Sequence, residues 1–237
     1  MTFLKPGFAV VLMLSLIGCA SSDFSSDKQP LPTNSKEDKQ QNYIATMEHV
    51  NALIKDKKYR EAELILTREA QKNLNDFVVQ SKLLYINSAQ AKDSIRKADL
   101  EAAGSDVDAG DIALITLKHI ILTPDSSVPK DFPVILKGQE DELLTIKKNL
   151  TDSIDGYCNK KLTEADAFAK KAKNLVTRND RNMIIAGLKK VRECNQYGKW
   201  ASIETKSKST NSVRMLLDLA EEKEHDSLLR SAGFGFQ

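Results

Sequence analysis

From Tyr43 onward the apolar residues recur at three- and four-residue intervals. Tyr43, Met47, Val50 and Ile54 form one stripe and Tyr59, Ala62, Leu66 and Ala70 a second. This spacing puts each set on one face of an α-helix. Only Lys55-Asp56-Lys57-Lys58 separates them, and so short a connection makes the two helices antiparallel neighbours. A third helix is predicted from Asp76, an N-cap residue type, through Val79, Leu83, Ile86 and Ile95 to about Ala102, with Ala103-Gly104-Ser105-Asp106 as its break.

Asp108 to Leu122 is apolar nearly all round, the pattern of a central helix. Pro124, Pro129 and Pro133 then disfavour regular structure, so 123–137 is expected to be a proline-rich connection. Beyond it Leu143, Ile146, Leu150 and Ile154 form a seam on a helix over about 139–162. Thr163, with Asp166 three residues on, is expected to cap another helix through Ala165, Phe168, Ala172 and Leu175. A further helix starts at Asn179 and carries Ile184, Leu188, Val191 and Cys194. After a connection over 198–209 that contains Trp200, a last helix is expected over 210–230. The fold class is therefore all-α: N-terminal hairpins over 42–122, a C-terminal bundle over 138–230, and a glycine-rich flexible tail over 231–237 that holds Phe234 and Phe236.

Composition agrees with helices: 29% of the residues are charged, 6% are aromatic, and only 10 are glycine. The formal net charge is +2 with signs evenly mixed, which argues against a nucleic-acid partner, since that needs a clustered basic face. It also argues against a polybasic lipid-binding strip.

The first 41 residues differ from the rest. Lys5 precedes an apolar run from Phe8 to Ile17, too short to span a bilayer, and Leu16-Ile17-Gly18-Cys19 closes it. Residues 20–41 are polar, contain Pro30 and Pro32, and read as a tether with a reach of roughly 25 Å. The opening segment resembles bacterial lipoprotein precursors. The resemblance implies removal of 1–18 as a signal peptide, acyl chains on Cys19, and a mature protein beginning with the lipidated cysteine and tether over 19–41. It further implies anchorage at the outer membrane, which Ala20 after the cysteine suits, facing the periplasm. Each buried methylene contributes about 0.8 kcal/mol, so several chains hold firmly.

In such a compartment the two remaining cysteines, Cys158 and Cys194, are expected to form a disulfide, with free buried thiols or a metal pair as the alternatives. The bridge would contribute about 3.8 kcal/mol in the chain-entropy model. It would join the end of the fifth predicted helix to the end of the seventh. A second resemblance is confined to Lys57-Lys58-Tyr59-Arg60-Glu61-Ala62, which is similar to the turn and helix start of a tetratricopeptide repeat. The first helix lacks that family's large-residue, leucine and glycine pattern, and Leu74 stands where it has proline. The hairpin is thus either such a repeat or a generic helical pair.

Catalytic signatures are not found: there is no nucleophile elbow, phosphate-binding loop, dinucleotide fingerprint or zinc helix. His49, His119 and His225 lie on separate predicted helices, with His49 half-exposed and His119 packed within its apolar element. Glu221 to Asp226 reads as a solvated face. No cofactor and no catalytic residue are expected. The reading is a non-enzymatic adaptor or assembly factor for a bacterial envelope complex, such as a pilus, a secretion channel, outer-membrane biogenesis or cell-wall machinery. Its partners are the membrane, through Cys19, and an envelope protein. Phe132, Val134, Ile135, Leu136, Phe234 and Phe236 are the candidate anchors, with core plugs as the plainer role for these residues. An envelope hydrolase or ligand-binding lipoprotein is the alternative, and it predicts a deep pocket with converging polar groups. A surface-exposed, host-facing lipoprotein is a third.

Overall fold

The computed structural model describes residues 36–123, 128–174 and 179–231. The segment expected to be a signal peptide, Cys19, most of the expected tether, Phe234 and Phe236 lie outside them. Among the described residues every regular element is helical: α1 (Lys36–Lys55), α2 (Tyr59–Lys72), α3 (Phe77–Arg96), α4 (Leu100–Leu122), α5 (Phe132–Asn174), α6 (Asn179–Asn195) and α7 (Ile203–Ser231). The all-α expectation is met.

Helix α1 begins at Lys36, inside the stretch read as tether. Residues 36–42 are polar and mostly exposed, and Glu37 and Asp38 in the first turn suit the positive end of the helix dipole. Apolar periodicity could not reveal these turns because they bury little. From Tyr43, Met47, Val50 and Leu53 of α1 join Ala62, Leu66 and Ala70 of α2 and Val79 and Ile86 of α3 in one apolar cluster.

The α1–α2 and α3–α4 turns have the same construction. Lys57 (φ 58°) and Ala98 (φ 59°) take the left-handed conformation. The Lys57 amide donates to the Ile54 carbonyl at 3.0 Å and the Lys58 amide to Leu53 at 2.8 Å. In the second turn Ala98 donates to Ile95 at 3.0 Å and Asp99 to Ser94 at 2.9 Å. This paired pattern closes off helix carbonyls that would otherwise lack donors. The shift that superposes the turns also places Ile54 on Ile95, Ala62 on Ala103 and Leu66 on Val107. Both alanines are fully buried.

Helix α3 ends at Arg96, and α4 starts at once behind Asp99, whose Oδ1 accepts from Ala102 N at 3.1 Å. The break expected at 103–106 is therefore absent; Gly104 is inside α4. Asp76 caps α3 as expected, accepting from Val78 N and Val79 N. Helix α4 is not central: it packs on α3 and α5 and leaves Ile112, Ile115 and Leu122 more than 60% exposed. Its neighbours leave part of this largely apolar helix uncovered.

Helix α5 is the spine. Its 43 residues extend about 65 Å. It absorbs the end of the connection expected over 123–137 and both helices expected on either side of Thr163. Pro133 lies in the first turn, where a missing N–H costs nothing. Thr163 is mid-helix, its Oγ1 donating to the Asn159 carbonyl at 2.8 Å. Near its start Leu136 and Leu143 pack with Leu84, Ala113 and Leu117. Near its end Leu162, Ala165, Ala169 and Ala172 pack with Ile184, Val191 and Leu216 of α6 and α7. Ion pairs Lys118–Glu140 and Lys147–Asp111, both 2.6 Å, show that α4 and α5 run antiparallel. Helix α7 begins at Ile203, seven residues earlier than expected, because Ser202 Oγ accepts from Thr205 N at 3.1 Å and starts the helix.

Candidate functional site

Cys158 and Cys194 are bonded, with 2.14 Å between the sulfurs and 4.9 Å between their Cα atoms. Both side chains are buried. The bridge ties the middle of α5 to the last turn of α6, rather than two helix ends, because the expected fifth and sixth helices are one. Around it Ile146, Leu150 and Ile154 of α5 meet Ala91, Leu100, Ala103 and Val107 of α3 and α4. The cluster thus joins the hairpins to the C-terminal helices.

The α6–α7 connection closes this junction. Tyr197 stands edge-on to Tyr157, with ring centroids 5.4 Å apart. Thr151 Oγ1 donates to the Trp200 carbonyl at 3.0 Å, and Ser202 N donates to Asp155 Oδ1 at 3.1 Å. Although burial works against it, Asp155 is held below the usual carboxylate range by hydrogen bonds from Ser202 and Thr205. On the α4 side Lys199 Nζ pairs with Asp108 at 2.5 Å and Trp200 Nε1 donates to the same carboxylate at 3.4 Å.

An open groove lies where the two hairpin turns meet α5. It has two lobes, of about 670 Å³ and 360 Å³, that share Lys57, Tyr59 and Asp93. The larger is walled by Tyr85, Ile95 and Ile146, with Lys92 paired to Glu142 at its edge. Partial burial, then the Tyr59 hydroxyl beside it and the charge of Glu142, hold the Tyr85 hydroxyl above its ordinary range, against Lys92.

Beneath the smaller lobe is a polar network around the buried Asp106. Arg60 reaches Asp106 Oδ1 at 2.9 Å and Glu63 Oε2 at 3.2 Å; Ser94 Oγ donates to Asp106 Oδ2 at 3.3 Å. Gln90 Nε2 donates to Glu63 Oε2 at 2.9 Å, and Gln90 Oε1 is buried without a partner. Burial pushes the Asp106 carboxyl above its usual range; Arg60 pulls it back and Glu63 adds to the rise.

The sequence-predicted anchors divide. Phe132 and Leu136 are core residues, Phe132 lying edge-on to Phe77 at 5.5 Å, so as docking candidates they are corrected to plugs. Val134 (76%) and Ile135 (52%) point outward. His119, expected to be packed, is exposed on α4, and His49 is exposed on α1. Among the described residues no three His, Cys, Asp or Glu side chains gather as metal ligands, and no helix is long and apolar enough to cross a membrane. Gln90 carries no sequence signal, and Arg60 and Asp106 enter the sequence only as parts of the repeat-like turn and of the expected break. The available signal was Asp106, an acid on the stripe Ala103–Val107–Gly110, hidden by reading that segment as a break.

Comparison with protein families, characterised proteins and solved structures finds no match to this chain.

Proposed function

We propose that the chain is a lipid-anchored, non-enzymatic helical adaptor of a bacterial envelope complex, held at the outer membrane through acyl chains on Cys19 and facing the periplasm. What carries the reading is an export and acylation signal, Leu16-Ile17-Gly18-Cys19, on a chain whose core is closed by a disulfide. Structural disulfides persist in oxidising compartments such as the periplasm. A scaffold of paired helices on one long spine supports the adaptor role, because it presents extended faces without requiring reacting groups. Ile112, Ile115 and Leu122 on α4 supply exposed apolar side chains for such contacts.

Two measurements test it. Intact-mass analysis of the protein from its native envelope should give a chain that starts at an acylated Cys19; an uncleaved leader sinks the anchoring. Crosslinking in envelopes through photoreactive residues on α4 should give discrete adducts; muropeptide turnover without adducts sinks the adaptor role.

A further inference from the structure

The groove at the hairpin turns carries charge that the fold does not use. At each turn one helix ends and the next begins, so the opposite partial charges of the two helix ends lie together and cancel. The lysines there are consequently not needed to neutralise a helix terminus. Asp93 is committed to Arg96 at 3.1 Å and Lys97 at 2.5 Å, and Asp99 to the cap of α4. Arg60 is committed to Asp106 and Glu63. Among the described residues Lys57 and Lys58 have no carboxylate within ion-pairing distance; Glu61 lines the same lobe, and Asp56 precedes them in the turn.

Next to these cations the groove offers an aromatic and apolar wall. Tyr85 is 46% exposed beside Tyr59, and Ile95 and Ile146 line the same lobe. The floor holds Gln90, 5% exposed, with its Nε2 fixed by Glu63.

We propose that this groove docks an extended acidic segment of a partner protein, in which an aromatic or large aliphatic side chain lies next to two carboxylates. The apolar side chain packs on Tyr59 and Tyr85, and the carboxylates meet Lys57 and Lys58. The proposal rests on the adaptor reading and gives its partner a chemistry.

The test is selection from a random dodecapeptide library on the immobilised full chain. The selected pool should be enriched in peptides that combine two or more Asp or Glu with an aromatic. A fluorescein-labelled member should bind at least tenfold more weakly to the Lys57→Glu/Lys58→Glu double variant and to Tyr85→Ala. It should also bind at least fivefold more weakly at 0.5 M than at 0.05 M salt, as screening of exposed charges requires. Lys189→Glu/Lys206→Glu, exposed on α6 and α7, should leave binding unchanged. A pool no more acidic than the starting library overturns the proposal, as does equal affinity for the double variant. Binding of the chain to phosphatidylglycerol vesicles without peptide enrichment overturns it in favour of a lipid surface. A photoreactive residue at Ile115 that gives adducts in envelopes while one at Tyr85 gives none overturns the groove and leaves the adaptor standing. Adducts at neither position overturn both.

Discussion

Trp200 lies against the bare backbone of Gly104: a Cβ built on Gly104 would stand 2.4 Å from Trp200 Cζ2. No side chain fits in that space, so the glycine inside α4 exists for the ring that the α6–α7 connection inserts beside it. Gly104→Ala is therefore a test of the junction. Alanine favours a helix interior by about 1 kcal/mol over glycine, whereas overpacking costs about 1–3 kcal/mol. The variant should come out less stable by roughly 1–2 kcal/mol in urea denaturation. Because the chain has a single tryptophan, its emission should shift to the red. Unchanged emission with raised stability would mean that the ring does not sit there.

The disulfide should act on the unfolded chain more than on the native one. Its 36-residue separation gives about 3.8 kcal/mol in the chain-entropy model. Cys158→Ala/Cys194→Ala should lose on the order of 4 kcal/mol, somewhat more if the vacated space does not collapse. With both sulfurs buried in the central cluster, reduction of the native protein should be slow and should speed up sharply in partial denaturant. Thiol labelling after timed exposure to a reductant measures this. Rapid reduction without denaturant would contradict the burial.

Asp155 gives the same junction a pH limit. Its folded pKa lies below the ordinary 3.8 owing to the bonds from Ser202 and Thr205. A depressed carboxyl contributes stability that is present above its unfolded pKa and lost as pH falls through the folded value. Trp200 emission should thus be flat from neutrality down to about pH 4 and shift only below it. Asp155→Ala should lose about 0.5–1.5 kcal/mol at neutral pH. A transition centred near pH 6 would point to another group.

Much of this fold could be read from periodicity. The α1–α2 hairpin, the Asp76 cap and the seam Leu143–Ile146–Leu150–Ile154 follow from apolar spacing and local chemistry, and the Cys158–Cys194 pair from counting cysteines. Gly104, Pro133 and Thr163 misled for a common reason. Each is a breaker or cap by local preference, but each stands where tertiary packing or a first-turn position removes the penalty. Phe132 and Leu136 read as loose anchors only while α5 is expected to start after them; they are buried in its first turns. The groove was not legible, since Arg60, Gln90 and Asp106 lie on three different helices and meet only when the hairpins stack.

The Arg60–Asp106 pair makes the most specific prediction about that stacking. The Asp106 side chain is 1% exposed and Arg60 is 62% exposed, so the arginine covers a carboxylate that has left water. Removing the cover strands the charge, whereas removing the charge first leaves little to strand. Arg60→Ala should therefore cost about 1–3 kcal/mol at neutral pH and well under 1 kcal/mol in an Asp106→Asn background, a coupling that a double-mutant cycle measures. The pH dependence has a definite sign. Burial raises the folded pKa of Asp106 above 3.8, so its folded form holds the proton more tightly, and stability is fully present below 3.8 and lost as pH rises through the folded value. Losing Arg60 raises that value further and extends the loss to higher pH. The penalty of Arg60→Ala should accordingly be smallest near pH 3.5 and grow toward neutrality, and lose most of that growth once Asp106 is Asn and Glu63 is the one carboxylate left on Arg60. A penalty that is constant with pH in the otherwise wild-type chain would show that Arg60 acts by packing its stem and not through the buried carboxylate.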